Sequence, residues 1–231
     1  MKRKNLKLTI TFALVCMSGM SLYVSCTPKT TEDMSSAPKT AEDFAKRGNT
    51  YLQKGNYDLA IADYTEAIRL DSDYNWAYRP RGDAYQRKGE LDMAIADFTE
   101  AIRLAADDIW LGISYTSRGD AYYEKCELDM AIADFNEAIR LDSDYTYAYT
   151  SRGLAYHGKG ELDMAIADYT EAMRLESGDW RGLVYKWRGN AYYEKGELNM
   201  AITDYNDYLE CYPNDDDAKE KFEHARQLRG Y

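Results

Sequence analysis

The chain is 231 residues long and carries 40 Asp and Glu against 29 Lys and Arg, a formal net charge of −11. Such an acidic chain lacks the Lys and Arg clusters that nucleic acid requires, and anionic lipid headgroups repel it unless something other than charge attaches it. Its two histidines, His157 and His224, have no Cys, Asp or Glu partners at metal-ligand spacing, and no glycine-rich phosphate loop is present, so neither an enzyme nor a cofactor is expected.

At the start of the chain, Lys2, Arg3, Lys4 and Lys7 lead into an uncharged apolar stretch over 8–24, the layout of a secretory signal. The stretch is short and rich in small residues for a membrane span. It ends in Leu22-Tyr23-Val24-Ser25-Cys26, which resembles a bacterial lipoprotein cleavage box. The resemblance implies that residues 1–25 are removed, that Cys26 is lipidated and becomes the new N-terminus, and that the exported chain is held in the bacterial cell envelope through its lipid anchor. Tyr23 stands where that box has an aliphatic residue, which leaves an uncleaved anchor or simple cleavage open. Residues 26–40, with Pro28 and Pro38 among polar side chains, read as a flexible tether.

From residue 41 onward an Arg-Gly pair recurs five times, at Gly48, Gly82, Gly119, Gly153 and Gly189, each followed three residues later by a tyrosine. Spacings of 34, 37, 34 and 36 residues fall in the range of stacked supersecondary units. In the third unit Tyr115, Gly119 and Tyr122 share one face of a first helix. A turn follows at Lys125-Cys126-Glu127, then a second helix capped by Asp129 with Ala131, Phe135 and Ala138 on one face. The other units repeat these slots, with Phe44, Tyr78, Tyr149 and Tyr185 before the glycine and Tyr64, Phe98, Tyr169 and Tyr205 on the second helix. The pattern resembles the tetratricopeptide repeat. That resemblance implies an all-α solenoid of five helix-turn-helix units, at 41–74, 75–111, 112–145, 146–181 and 182–217, closed by a capping helix at 218–231. It also implies a concave wall that holds a protein or peptide partner.

Departures from the pattern carry further expectations. Cys126 replaces a turn glycine (Gly55, Gly89, Gly160 and Gly196 elsewhere) and predicts a strained turn, while Pro80 predicts a kink or late start in its helix. The two longer spacings read as loops at 105–111 and 176–182, in which Trp110 and Trp180 cap crevices between units. Tyr208 and Glu210 break the Ala and Arg slots and mark the end of the array; Tyr208, Tyr212 and Phe222 offer an edge for self-association, an alternative to partner binding. Cys126 and Cys211 lie two repeats apart and read as unpaired, half-buried thiols.

On the first helices, positions one and four or five after each glycine should face the concave side. They are Asn49 and Leu52, Asp83 and Gln86, Asp120 and Tyr123, His157, then Asn190 and Tyr193, with Trp76, Tyr147 and Lys186 beside them. Relatives that clamp a C-terminal carboxylate repeat Lys with Asn or Arg over successive first helices. Here only Lys186 with Asn190 fits, and Thr116 and Thr150 hold the equivalent Lys places. A wall of Tyr, His, Trp and amides suits instead an extended or helical peptide held by aromatic packing and hydrogen bonds. Helical geometry separates neighbours by 100°, so Tyr122 should pack between helices while Tyr123 opens into the groove. Finally, the Arg before each repeat glycine and an Asp 16 residues on predict a ladder of ion pairs along the solenoid.

Overall fold

The computed structural model describes residues 38–175 and 180–230. The signal, Cys26, most of the tether and the side chain of Trp180 lie outside the described residues. Each unit is a helical pair: α1 (Ala41–Gln53) with α2 (Tyr57–Leu70), α3 (Asn75–Arg87) with α4 (Leu91–Arg103), α5 (Asp108–Glu124) with α6 (Leu128–Leu141), α7 (Thr146–Lys159) with α8 (Leu162–Leu175), and α9 (Trp180–Lys195) with α10 (Leu198–Cys211). The cap, α11 (Asp216–Arg229), follows, and no strand occurs among the described residues. Each first helix packs on its own second helix and on the second helix of the unit before it. Successive first helices also touch one another, while successive second helices make no comparable contact, so the first helices form the inner wall.

The small residues set how closely each pair packs. A Cβ at Gly48, Gly82, Gly119 or Gly153 would stand 2.6–2.8 Å from a ring carbon of Tyr64, Phe98, Phe135 or Tyr169, closer than real Cβ contacts come. Those rings, with Tyr205 and the alanines Ala60, Ala94, Ala131, Ala165 and Ala201, are fully buried. Each ring contributes about 2–3 kcal/mol by leaving water.

Every unit closes its turn in the same way. The backbone N–H groups of Asn56, Glu90, Glu127, Glu161 and Glu197 donate to the carbonyls of Tyr51, Tyr85, Tyr122, Tyr156 and Tyr192, each at 2.9 Å. Such a bond forms when the residue between turns left-handed. Four glycines do so without cost, and Cys126 does so with φ +62° and a side chain, as the sequence predicts. Asp129 is not an N-cap. The turn is short enough that Glu127, the residue closing it, also occupies the N-cap position of α6, without a side-chain bond. The Asp129 carboxylate instead accepts from Lys159 of the next unit at 2.8 Å.

The longer spacings are loops only in part: 105–107 are irregular, and 176–179 lie outside the described residues. Residues 108–111 and 180–182 are helical and lengthen α5 and α9 to 17 and 16 residues, against 13 or 14 for the other first helices. Asp107 begins α5 by accepting the Trp110 N–H at 2.9 Å. Helix α3 runs through Pro80 from Asn75, so there is no late start; the proline leaves the Trp76 carbonyl without its helical donor.

The ladder is complete. Arg47, Arg81, Arg118, Arg152 and Arg188 each place Nε and Nη2 on the two carboxylate oxygens of Asp63, Asp97, Asp134, Asp168 and Asp204, at 2.6–2.8 Å. Four of these arginines also reach backward. Nη1 of Arg81, Arg118, Arg152 and Arg188 donates to Thr65, Thr99, Asn136 and Thr170 of the preceding unit, at 2.6–3.1 Å. Aromatic rings lie under the guanidinium groups, such as Tyr115 and Tyr122 at 5.7 and 5.9 Å from Arg118. A second series went unread in the sequence: Lys88, Lys125, Lys159 and Lys195 bond both the turn Glu two residues on and an Asp of the preceding unit's second helix. Those aspartates are 80–86% exposed, so this outer series adds little stability.

Candidate peptide-binding face

The inner wall is built by five first helices side by side, and the candidate residues fall into three stretches along it. At the start, Asn49 accepts the Tyr64 hydroxyl at 2.7 Å, and Leu52 packs half-buried against the first core cluster. On the next first helix Trp76 is 52% exposed and meets Trp110 edge-on, with ring centroids 4.8 Å apart. The Arg79 guanidinium lies 5.8 Å from the Trp110 ring, and these side chains line a small crevice of about 40 Å³ with Pro80 and Ser114. Trp110 thus covers a crevice between the second and third units, as expected.

The middle stretch is knit across helices. Gln86 on α3 donates to Glu124 on α5 at 2.6 Å, and Tyr147 on α7 donates to Asp120 on α5 at 2.5 Å. Asp83 accepts from Arg79, one turn back on α3, at 3.1 Å. His157 Nε2 lies 3.3 Å from Glu194 of the next first helix. Burial pushes the Asp120 carboxyl up to about 8; the Tyr147 hydroxyl opposes this, and the charges of Glu124 and Asp83 reinforce it.

Here the Tyr122/Tyr123 expectation is reversed. Tyr123 is only 9% exposed, and burial raises its phenol to about 12, whereas Tyr122 is half-buried beneath Arg118. The flank of α5 that helical geometry turns inward is also the flank on which neighbouring first helices meet, so a side chain there is covered by the next unit. In the fifth unit Tyr192 is 9% exposed and Tyr193 is half-buried, the expected order.

The last stretch is occupied by the cap. Helix α11 takes the place of a sixth first helix. Lys186 bonds Asp215 at 2.6 Å and Asp217 at 3.3 Å, Asn190 accepts from both Tyr205 and Lys221, and the Tyr193 hydroxyl pairs with His224 Nδ1. The polar groups that came nearest to a carboxylate clamp are therefore already engaged. The aromatics of the proposed self-association edge also make contacts within the chain. Tyr208 is buried and donates to Asp215 at 2.7 Å, Tyr212 stacks on it and packs against Gly182, and Phe222 packs on Tyr192, Ala201 and Tyr205. The thiols of Cys126 and Cys211 are free and exposed rather than half-buried.

Comparison with known proteins agrees with this architecture. A TPR repeat model matches residues 48–89 and 119–160, and a tetratricopeptide repeat model matches 81–108 and 146–179. No curated protein sequence matches the chain. Among solved structures, MamA is 27% identical with a TM-score of 0.65, over 72% of this chain and 94% of that one. YrrB, described as a TPR protein with an unusual peptide-binding site, is 20% identical with a TM-score of 0.64, over 81% and 92% of the two chains. A tetratricopeptide repeat protein from Parabacteroides merdae is 18% identical with a TM-score of 0.69, over 82% and 73%. The last two likenesses concern the fold alone. With the two repeat models together matching more than half of its residues, on the helix pairs whose packing is described above, the chain belongs to the tetratricopeptide repeat family.

Proposed function

We propose that the chain is a non-catalytic scaffold of the bacterial cell envelope, anchored by a lipid on Cys26, that holds a partner polypeptide along the inner wall of its first four units. The observation that carries the binding reading is the wall itself. Four successive first helices carry Asn49, Trp76, Gln86, Glu124 and His157, all exposed or half-buried, with Gln86 bonded to Glu124 across α3 and α5, whereas beyond them the cap engages Lys186 and Asn190. Exposed Trp76 beside Trp110 is the kind of rigid aromatic anchor on which interfaces concentrate their binding energy. Attachment rests on the basic start, the apolar run and the Leu-Tyr-Val-Ser-Cys ending, because two acyl chains anchor stably where an acidic surface cannot.

Both halves of the reading are open to direct test. A photoreactive residue at Trp76 or His157 in living cells should trap one partner, and no discrete adduct from either position would defeat the binding reading. Fatty-acid labelling should mark wild type and not Cys26→Ser. Equal labelling of the two would defeat the anchor.

A further inference from the structure

The second and third units meet at a lengthened junction. The repeat glycines are 37 residues apart there, and the extended start of α5 carries Trp110 over to Trp76, leaving the crevice of about 40 Å³ between them. What remains free in its lining is apolar. Pro80, Ala101 and Ala105 stand with the two indole rings, while the polar side chains among them are already engaged. Arg79 donates to Asp83, Asn75 to the Leu104 carbonyl and Ser114 to the Trp110 carbonyl. Such a volume takes about three groups the size of a water molecule, close to the isopropyl group of a valine.

Two further observations say what accompanies that side chain. Pro80 is the first. The same slot holds Lys46, Ser117, Ser151 and Trp187 in the other units, and a proline inside a helix lowers its stability. It removes the N–H that the Trp76 carbonyl would accept. That carbonyl points along α3 toward Pro80, and both residues belong to the crevice wall. An unused acceptor beside an apolar slot matches a guest whose backbone N–H adjoins its buried side chain. Charge is the second observation. Asp71 and Asp73 lie in the loop entering α3, and Asp107 and Asp108 at the start of α5; all four are exposed, and no ion pair takes them among the described residues. Arg79 beside the crevice and Arg103 at the end of α4 are held by Asp83 and Glu100. The mouth of the crevice therefore sits in a negative field, which draws cationic residues and repels acidic ones.

We propose that this crevice seats one valine-sized side chain of an extended partner segment that carries a lysine or arginine two residues to either side, with the N–H of the central residue bonding the Trp76 carbonyl. This deepens the partner-binding reading and rests on it. In an extended strand, residues two apart share a face and stand about 7 Å from one another. When the central side chain enters the crevice, its flanking cations therefore come down toward the Asp71 and Asp73 loop on one side and the Asp107 and Asp108 turn on the other. A proline at the centre lacks the N–H, and acidic flanks meet like charge. Trp76, 52% exposed in the free chain, is covered on docking and supplies the fixed aromatic surface of the contact.

The test uses the full chain in mild detergent with isotope-labelled tryptophan, its indole N–H signals read by NMR. The probe is an acetylated and amidated glycine heptapeptide with valine at its centre and a lysine two residues to either side. It should shift the signals of Trp76 and Trp110 and leave that of Trp187 in place. Replacing the valine by glycine, or both lysines by glutamate, should each weaken binding about tenfold or more. Methylating the valine nitrogen should weaken binding about fivefold on wild type and leave it unchanged on Pro80→Ala, whose restored N–H occupies the Trp76 carbonyl. Signals unmoved by the probe, or equal binding of the glycine or glutamate peptide, overturn the proposal. An N-methyl penalty of the same size in both proteins overturns the bond to the carbonyl. Trp76 and Trp110 signals that move with protein concentration alone assign the crevice to a second copy and overturn the partner segment. In cells, Trp76→Ala should lower capture from a photoreactive residue at His157. Equal capture in wild type and Trp76→Ala removes the crevice and leaves the groove reading standing. No adduct from Trp76 or His157 in wild type removes the groove reading itself, and the crevice proposal with it.

Discussion

Removing one carboxylate from a central rung of the ladder tests whether these ion pairs hold the solenoid together. Asp134 is 7% exposed at its side chain and Arg118 is 18% exposed, and two bonds of 2.8 Å join them. Asp134→Ala leaves the guanidinium half-buried with a Thr99 hydroxyl at 3.1 Å and two aromatic faces, but no counter-charge. Breaking such a pair from one side costs about 3–5 kcal/mol. The lower end applies here, because part of Arg118 can still reach water. A surface pair within the same helix gives the control. Arg140 and Glu137 are 64% and 44% exposed, so Glu137→Ala should cost no more than about 0.5 kcal/mol. Replacing both rung residues with Met and Leu should recover most of the loss, since apolar groups of similar volume do not need the pair. Urea unfolding followed by circular dichroism reads all four proteins. If Asp134→Ala unfolds no earlier than Glu137→Ala, the rungs are ornamental and the reasoning fails.

Three further outcomes follow from individual sites. Cys126→Gly should stabilise the chain by about 1 kcal/mol, because a non-glycine residue at φ +62° pays a left-handed penalty of roughly 1–2 kcal/mol; an unchanged melting temperature would show the turn to be relaxed. The Tyr169 hydroxyl is buried with no hydrogen-bond partner among the described residues, since Leu154 stands where Asn49 and Asn190 receive the equivalent Tyr64 and Tyr205 hydroxyls. Tyr169→Phe should therefore be neutral or stabilising, while Tyr64→Phe should cost about 1 kcal/mol, and equal effects by thermal melting would refute the contrast. Because the folded Asp120 value of about 8 exceeds the ordinary 3.8, its stabilising proton is fully held below pH 4 and lost as pH rises through 8. Asp120→Asn should match wild type near pH 4 and melt progressively higher than wild type up to pH 9; a pH-independent difference would rule out burial as the cause.

The parts of the fold legible in the sequence were those written once per repeat. Recurrence exposed the glycines against the second-helix rings, the left-handed turn at Cys126 and the Arg-Asp rungs, because a contact between fixed slots leaves the same two residues at the same separation five times. What escaped were contacts between units, where spacing varies. Residues 108–111 read as part of a loop because the repeat lengthened there, yet inserting a turn's worth of residues into a helix lengthens it without breaking its face. Tyr123 looked open because helical phase says which way a side chain points and not what the next unit lays over it. Lys186 and Asn190 looked like ligand-binding groups because nothing in their own helix uses them; the cap does. The Lys rungs could have been found from the repeated Lys-Gly-Glu or Lys-Cys-Glu turn together with the Asp at the second residue of each of the first four second helices, Asp58, Asp92, Asp129 and Asp163.

The backward bond of each arginine makes the units into tiles with a plug on one side and a socket on the other. The plug is the Nη1 of Arg81, Arg118, Arg152 or Arg188; the socket is Thr65, Thr99, Asn136 or Thr170 on the tile before. A tile copied within the array arrives with both fittings and can be seated without altering either neighbour, which suits an array whose members differ so little. The two ends are then unlike. Arg47, the first plug, is 35% exposed where the later ones are 15–18%, and the last socket, Asn206, turns aside to Glu210 at 3.3 Å. Trimming tiles from the C-terminal side leaves every remaining plug seated, whereas each tile lost from the N-terminal side unseats the next.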